Sequence, residues 1–127
     1  MDFMTAVKHV LNNYANFSGR ARRSEYWWWT LATIIFQVAA QVVVGAVAAT
    51  GSGLLTAIIG IPVLLAYLAI IIPSIAVAIR RMHDVGRSGW WLLIGFVPVV
   101  GFFVLLYWFV QRGTVGSNAW GADPYDA

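Results

Sequence analysis

The 127-residue chain has no cysteine, and only 10% of its residues are charged. Without cysteine, disulfide spacing gives no guide to redox compartment. The scarcity of charge excludes more. A soluble domain carries about 25% charged residues, so a water-facing surface can hardly be assembled from this composition. The few charges are also segregated. No Asp, Glu, Lys or Arg lies from Tyr26 to Ile79, and none from Ser88 to Gln111. No internal repeat, low-complexity tract or metal-ligand spacing stands out, so neither a metal nor a cofactor is expected.

What the chain does have is apolar surface: 61% of residues are hydrophobic, and the mean hydropathy is +0.77. A membrane span needs about 20 mostly apolar residues. The first charge-free stretch has room for two spans and the second for one. The expected fold is therefore all-α, a single integral membrane helical bundle over residues 1–127. It has three transmembrane helices and an N-terminal interfacial amphipathic helix. The net charge of +3 and pI near 9.7 then point to an anionic membrane surface and not to nucleic acid.

Residues 2–16 form the interfacial helix. Phe3, Val7, Val10, Leu11 and Tyr14 share one face at helical spacing, and Asp2 is a natural N-cap. That face suits either the membrane surface or the protein's own helices. Asn16, Ser18 and Gly19 mark a turn. The spans are expected at 26–50, 54–79 and 90–110, with an exposed tail at 111–127. "AVA", Ala46 to Ala48, has the look of a signal-peptide cleavage site. The apolar run before it exceeds the roughly 7–15 residues of such a peptide, so it reads as an uncleaved span. The second span contains Pro62 and Pro73, where kinks are expected. The third is interrupted by Pro98 and Gly101. It suffices for one crossing, and a re-entrant hairpin at Pro98 is the other form open to it. "NFS", Asn16 to Ser18, matches the glycosylation pattern but falls on the side expected to be cytoplasmic.

Charge fixes the expected orientation. Lys8, Arg20, Arg22 and Arg23 precede the first span, the 50–53 turn is uncharged, and Arg80, Arg81 and Arg87 follow the second. Positive charge stays on the cytoplasmic side. The pattern predicts a cytoplasmic N-terminus and, with three crossings, an external C-terminus. Trp27, Trp28 and Trp29, then Trp90 and Trp91, mark the inner interface; Tyr107 and Trp108 mark the outer one.

Both polar loops then meet at one end of the bundle, bringing Arg20, Arg22, Arg23, Arg80, Arg81 and Arg87 together with Glu25, His83 and Asp84. If the second span continues as helix, Arg80, Asp84 and Arg87 share a face. The cluster is open to three readings: a structural ion-pair network, a site for anionic lipid headgroups or a protein partner, or an acid–base site built on His83 and Asp84. Within the membrane, Gln37 and Gln41 lie four apart on the first span. Tyr67 and Ser74 lie seven apart on the second. Such positions serve helix packing, or else line a solute path.

"YANFSGRARRSEYWWWT", Tyr14 to Thr30, and "IRRMHDVGRSGWWLLI", Ile79 to Ile94, resemble the two signature blocks of small bacterial inner-membrane proteins grouped as domain of unknown function 805. The matching positions are Arg20, Arg22, Arg23, Glu25, Tyr26 and Trp27, then Arg80 to His83-Asp84, Gly86, and Ser88 to Trp91. Met82 replaces a usual leucine, and the tail lacks two prolines and a basic residue of the pattern. The resemblance implies a protein of the bacterial cytoplasmic membrane and supplies no activity. The first expectation is a non-enzymatic membrane component that binds anionic headgroups or an unidentified membrane protein, and that self-associates. The alternatives are an oligomeric channel or transporter and an enzyme acting on a lipid-linked phosphate.

Overall fold

The computed structural model describes residues 1–124 as helices and connecting turns. Helix α1 spans Phe3–Asn12. Asp2 caps it by accepting from the Thr5 amide at 2.7 Å. Hydrogen bonds from Thr5 hold the Asp2 carboxyl below its ordinary range. Ala6 and Val10 are fully buried. Val10 joins Ala21, Trp29 and Val77 in one apolar cluster, so this side of α1 packs on the protein's own helices. Met4 and Leu11 remain exposed.

Two long helices form the bundle: α2, Arg23–Ala48, and α3, Gly53–Asp84. Gly51, at φ 79°, turns the chain between them. The Ser52 hydroxyl caps α3 by accepting from the Leu55 amide. The helices run antiparallel. Glu25 meets Arg80, Trp29 donates to the Ser74 hydroxyl, and Phe36 packs edge-on against Tyr67. At 1.5 Å per residue α3 is about 48 Å long, against a hydrocarbon layer of about 30 Å. It also runs one turn beyond the expected end at Ile79, so Arg80 to Asp84 are helical and not part of a loop.

Pro73 has no N–H, which frees the Ala69 carbonyl four residues earlier. The Tyr14 hydroxyl donates to that carbonyl. A side chain from the end of α1 thus repairs the defect that proline makes inside α3.

The third apolar segment, 90–110, open in sequence to a single rod or a re-entrant hairpin at Pro98, is divided. A 3-10 helix covers Gly89–Phe96, and α4 covers Val100–Val110. Pro98 forces the break: the residue before it, Val97, is extended, and Val99 sits at φ 65°. The two pieces fold back on each other. Trp91 and Trp108 meet edge-on at 5.8 Å between centroids. A Cβ at Gly101 would lie 1.8 Å from the Ile94 carbonyl oxygen. The 11 residues of α4 reach about 16 Å, short of a crossing.

A continuous rod would carry Val110 to the uncharged end near Thr50. The hairpin returns it to the arginine end, where Trp27 donates to the Phe109 carbonyl at 2.9 Å. Trp108, expected at the outer interface, therefore lies under Arg87. The expected exposed tail, 111–127, is instead packed against that end as far as Pro124. Its last residues, including Asp126, fall outside the described part.

The contact at Gly101 is with backbone, which cannot rotate away. Gly101→Ala should open the hairpin and destabilise the protein by about 2–4 kcal/mol. Thermal unfolding in detergent checks the loss, and Trp108 fluorescence should shift as the ring leaves Trp91.

Candidate functional site

The predicted convergence is present. The α1–α2 connection, the last turn of α3, the end of α4 and the tail all meet at one end of the bundle. Two carboxylates organise the meeting. Asp84, fully buried, accepts from Arg20 Nε at 3.0 Å through Oδ1 and from Arg81 Nη1 through Oδ2. Glu25, 1% exposed, accepts at 2.7 Å from Arg80 Nη1 and, through the same oxygen, from His9 Nδ1 at 2.7 Å.

The guanidiniums reach further. Arg20 donates to the tail carbonyls of Thr114 and Gly116. Arg81 donates to the carbonyls of Gln111, Phe109 and Ala21. Arginine suits this work because its planar fork offers five donors in fixed directions. A Cβ at Gly113 would lie 2.0 Å from an Asp84 carboxylate oxygen, so only glycine lets the tail cross here. The Thr114 amide then donates to the Asp84 carbonyl. Arg80 is the exception among these cations. It is 2% exposed, and its Nε and Nη2 have no hydrogen-bond partner among the described residues.

His83 and Asp84 are adjacent but turned apart. The His83 ring donates from Nδ1 to the Gly19 carbonyl at 2.9 Å and stacks on Trp120, 4.9 Å away and nearly parallel. Asn118 Nδ2 donates to the His83 carbonyl. Thus Asp84 does not orient His83 as a base. Arg80 and Asp84 do not pair either, and Arg87 lies beyond the end of α3, where it covers the Trp108 ring at 4.4 Å. Among the described residues, no three His, Cys, Asp or Glu side chains gather as metal ligands.

The remaining predicted cations form an outer layer. Arg22 donates to the Pro124 carbonyl and exposed Arg23 to the Val110 carbonyl at 3.2 Å. Lys8 and Arg112 are exposed nearby, with Arg112 at 3.7 Å from Asp123. Gln37, Gln41, Tyr67 and Ser74 lie away from this end, along the groove between α2 and α3.

His9, Asp123, Gly113 and Asn118 belong to the site and escaped the sequence reading. His9 sits on the helix expected to rest on the membrane, and its partner is 16 residues away. The tail contributes largely through carbonyl groups, which carry no side-chain signature.

Two comparisons bear on this arrangement. The family model described as a protein of unknown function (DUF805) matches residues 14–122, spanning both signature blocks and most of the tail. The chain belongs to the DUF805 family. It is 45% identical over 119 residues to the inner membrane protein YhaI of Escherichia coli K12, covering 91% of each chain. It is 42% identical over 118 residues to the inner membrane protein YhaH of the same strain, covering 91% of this chain and 92% of that one. No solved structure matches the chain. With α2 and α3 long and apolar enough to cross, this DUF805 protein is a helical protein of the bacterial inner membrane.

Glu25 is the carboxylate that balances Arg80, and removing one partner of a buried pair costs about 3–5 kcal/mol. Glu25→Gln alone should lose about that much stability. Adding Arg80→Met should return the protein to within about 1 kcal/mol of wild type, because no charge is then left stranded. Unfolding of the single and double variants in mixed micelles checks the coupling.

Proposed function

We propose that this protein is a non-enzymatic inner-membrane component whose arginine-rich end faces the cytoplasm and holds anionic lipid headgroups. The observation that carries the reading is the division of charge. The buried layer contains Arg20, Arg80 and Arg81 against Glu25, Asp84 and Asp123, and is formally neutral. The whole surplus of +3 therefore lies outside it, where the five cations Lys8, Arg22, Arg23, Arg87 and Arg112 outnumber Asp2 and Asp126. Each cation near an anionic surface contributes about 1 kcal/mol. Arg87, resting on Trp108 and Trp91, combines a cation with indole rings, which favour the headgroup level.

In this reading Arg20, Arg80 and Arg81 keep the fold, and Arg22, Arg23 and Arg87 meet the lipid. The reading also gives α2 and α3 one crossing each and makes the hairpin re-entrant, so that residues 111–124 are cytoplasmic.

Two measurements test it. Native mass spectrometry of detergent-purified protein should show phosphatidylglycerol retained over phosphatidylethanolamine. Arg23→Glu with Arg87→Glu should reduce that retention about tenfold without shifting thermal unfolding by more than a few degrees; unchanged retention overturns the headgroup role. For orientation, the natural chain has no cysteine, so single cysteines report cleanly. A membrane-impermeant thiol reagent should label Thr50→Cys in intact spheroplasts and Ser117→Cys only after permeabilisation. Labelling of Ser117→Cys from outside overturns the topology.

A further inference from the structure

Gln37 and Gln41 are both exposed, and neither side chain makes a hydrogen bond within the described protein. They lie 12 and 16 residues beyond Glu25, about 18 and 24 Å along α2. That is deep in the apolar layer, where headgroups do not reach and lipid tails offer no partner. An amide left unpaired there is strongly disfavoured.

The surrounding geometry gives these amides a face. Gln37 rims a cavity of about 380 Å³ with Tyr67 and Ser74. Gln41 rims one of about 200 Å³ with Gly60 and, again, Tyr67. At 100° per residue the two glutamines share one flank of α2, and Gly45 continues the same stripe. A Cβ at Gly45 would meet nothing within 4 Å, so another helix can approach the backbone closely there.

We propose that this flank is the contact between two copies of the chain, packed side by side in the same orientation. An amide is donor and acceptor at once, so a patch of two amides is complementary to itself. A twofold axis along the bilayer normal sets Gln37 and Gln41 opposite their counterparts. The flank has no charge and so selects no charged partner. The open grooves beside the amides give the second copy's α2 side chains a place to seat.

The test uses the full chain in phosphatidylethanolamine–phosphatidylglycerol proteoliposomes at several lipid-to-protein ratios. Under mild oxidation Gly45→Cys should yield a disulfide-linked dimer, whereas Val43→Cys, exposed on the other side of α2, should not. Gln37→Leu with Gln41→Leu, added to Gly45→Cys, should weaken dimerisation about tenfold. Leucine is helix-forming and suited to lipid, so this variant should fold; circular dichroism and unchanged Trp29 fluorescence verify that. Equal cross-linking at positions 45 and 43 overturns the proposal. So does a dimer fraction that the two leucines leave within twofold, or a protein that stays monomeric at every ratio.

Discussion

The structure depends on keeping the buried Asp84 ionised. Two guanidiniums, Arg20 and Arg81, satisfy its carboxylate, and each comes from a different part of the chain. Asp84 ends α3, where unsatisfied carbonyls already make the potential negative. A carboxylate there is disfavoured until cations surround it. Those cations bring the rest of the polar end with them. Arg20 pulls in the α1–α2 connection and the tail. Arg81 pulls in the end of α4 through Phe109 and Gln111. Removing Asp84 would take from Arg20 and Arg81 the carboxylate they share, leaving Asp123 at 3.9 Å from Arg20 as a more distant counter-charge, which is why one carboxylate orders four segments.

The opposite constraint governs the rest of the molecule. In the most apolar part of α2 only 6% of residues are buried within the protein, and in α3 none are. The hydrophobic effect therefore fixes their depth in the bilayer rather than their packing on each other. Side-to-side order must come from specific contacts: Trp29 on Ser74, Phe36 on Tyr67, and the Tyr14 hydroxyl on the carbonyl that Pro73 frees. These contacts cluster toward the arginine end. Beyond Phe36 the helices are held mainly by the Gly51 turn, and grooves lined by small residues and amides lie open there.

Patterns belonging to one segment at a time were legible in the sequence. Charge-free length marked α2 and α3. Asp2 marked the start of α1, and the alternation of basic and neutral connections predicted that residues 20–25 and 80–87 would meet. The features that stayed open or were misread needed two segments at once. The amphipathic face of α1 has the same period whether it meets lipid or protein, and only Trp29 and Val77 decide for protein. The segment from Trp90 to Val110 is long enough for a crossing. What folds it back is the backbone contact of Gly101 on Ile94, together with the conformations that Pro98 imposes on its neighbours. The tail reads as irregular because it carries three glycines, Asn118 and Pro124. Of these, Gly113 and Asn118 are what let its backbone pass over Asp84 and beside His83.

The division into two charge layers also separates the cations that hold the fold from those left at its surface. An arginine that holds the fold is paired with a buried carboxylate and shielded from solvent, so its field is largely cancelled nearby. An arginine at the rim keeps its field in water, where it reaches about a Debye length. Six signature arginines thus fall into two groups that the sequence writes identically: Arg20, Arg80 and Arg81 inward, Arg22, Arg23 and Arg87 outward. The reason lies in where acceptors are. Asp84, Glu25 and the tail carbonyls line the interior, while the rim offers indole rings and chain ends. Position relative to those acceptors, and not the arginine itself, decides which role each cation takes.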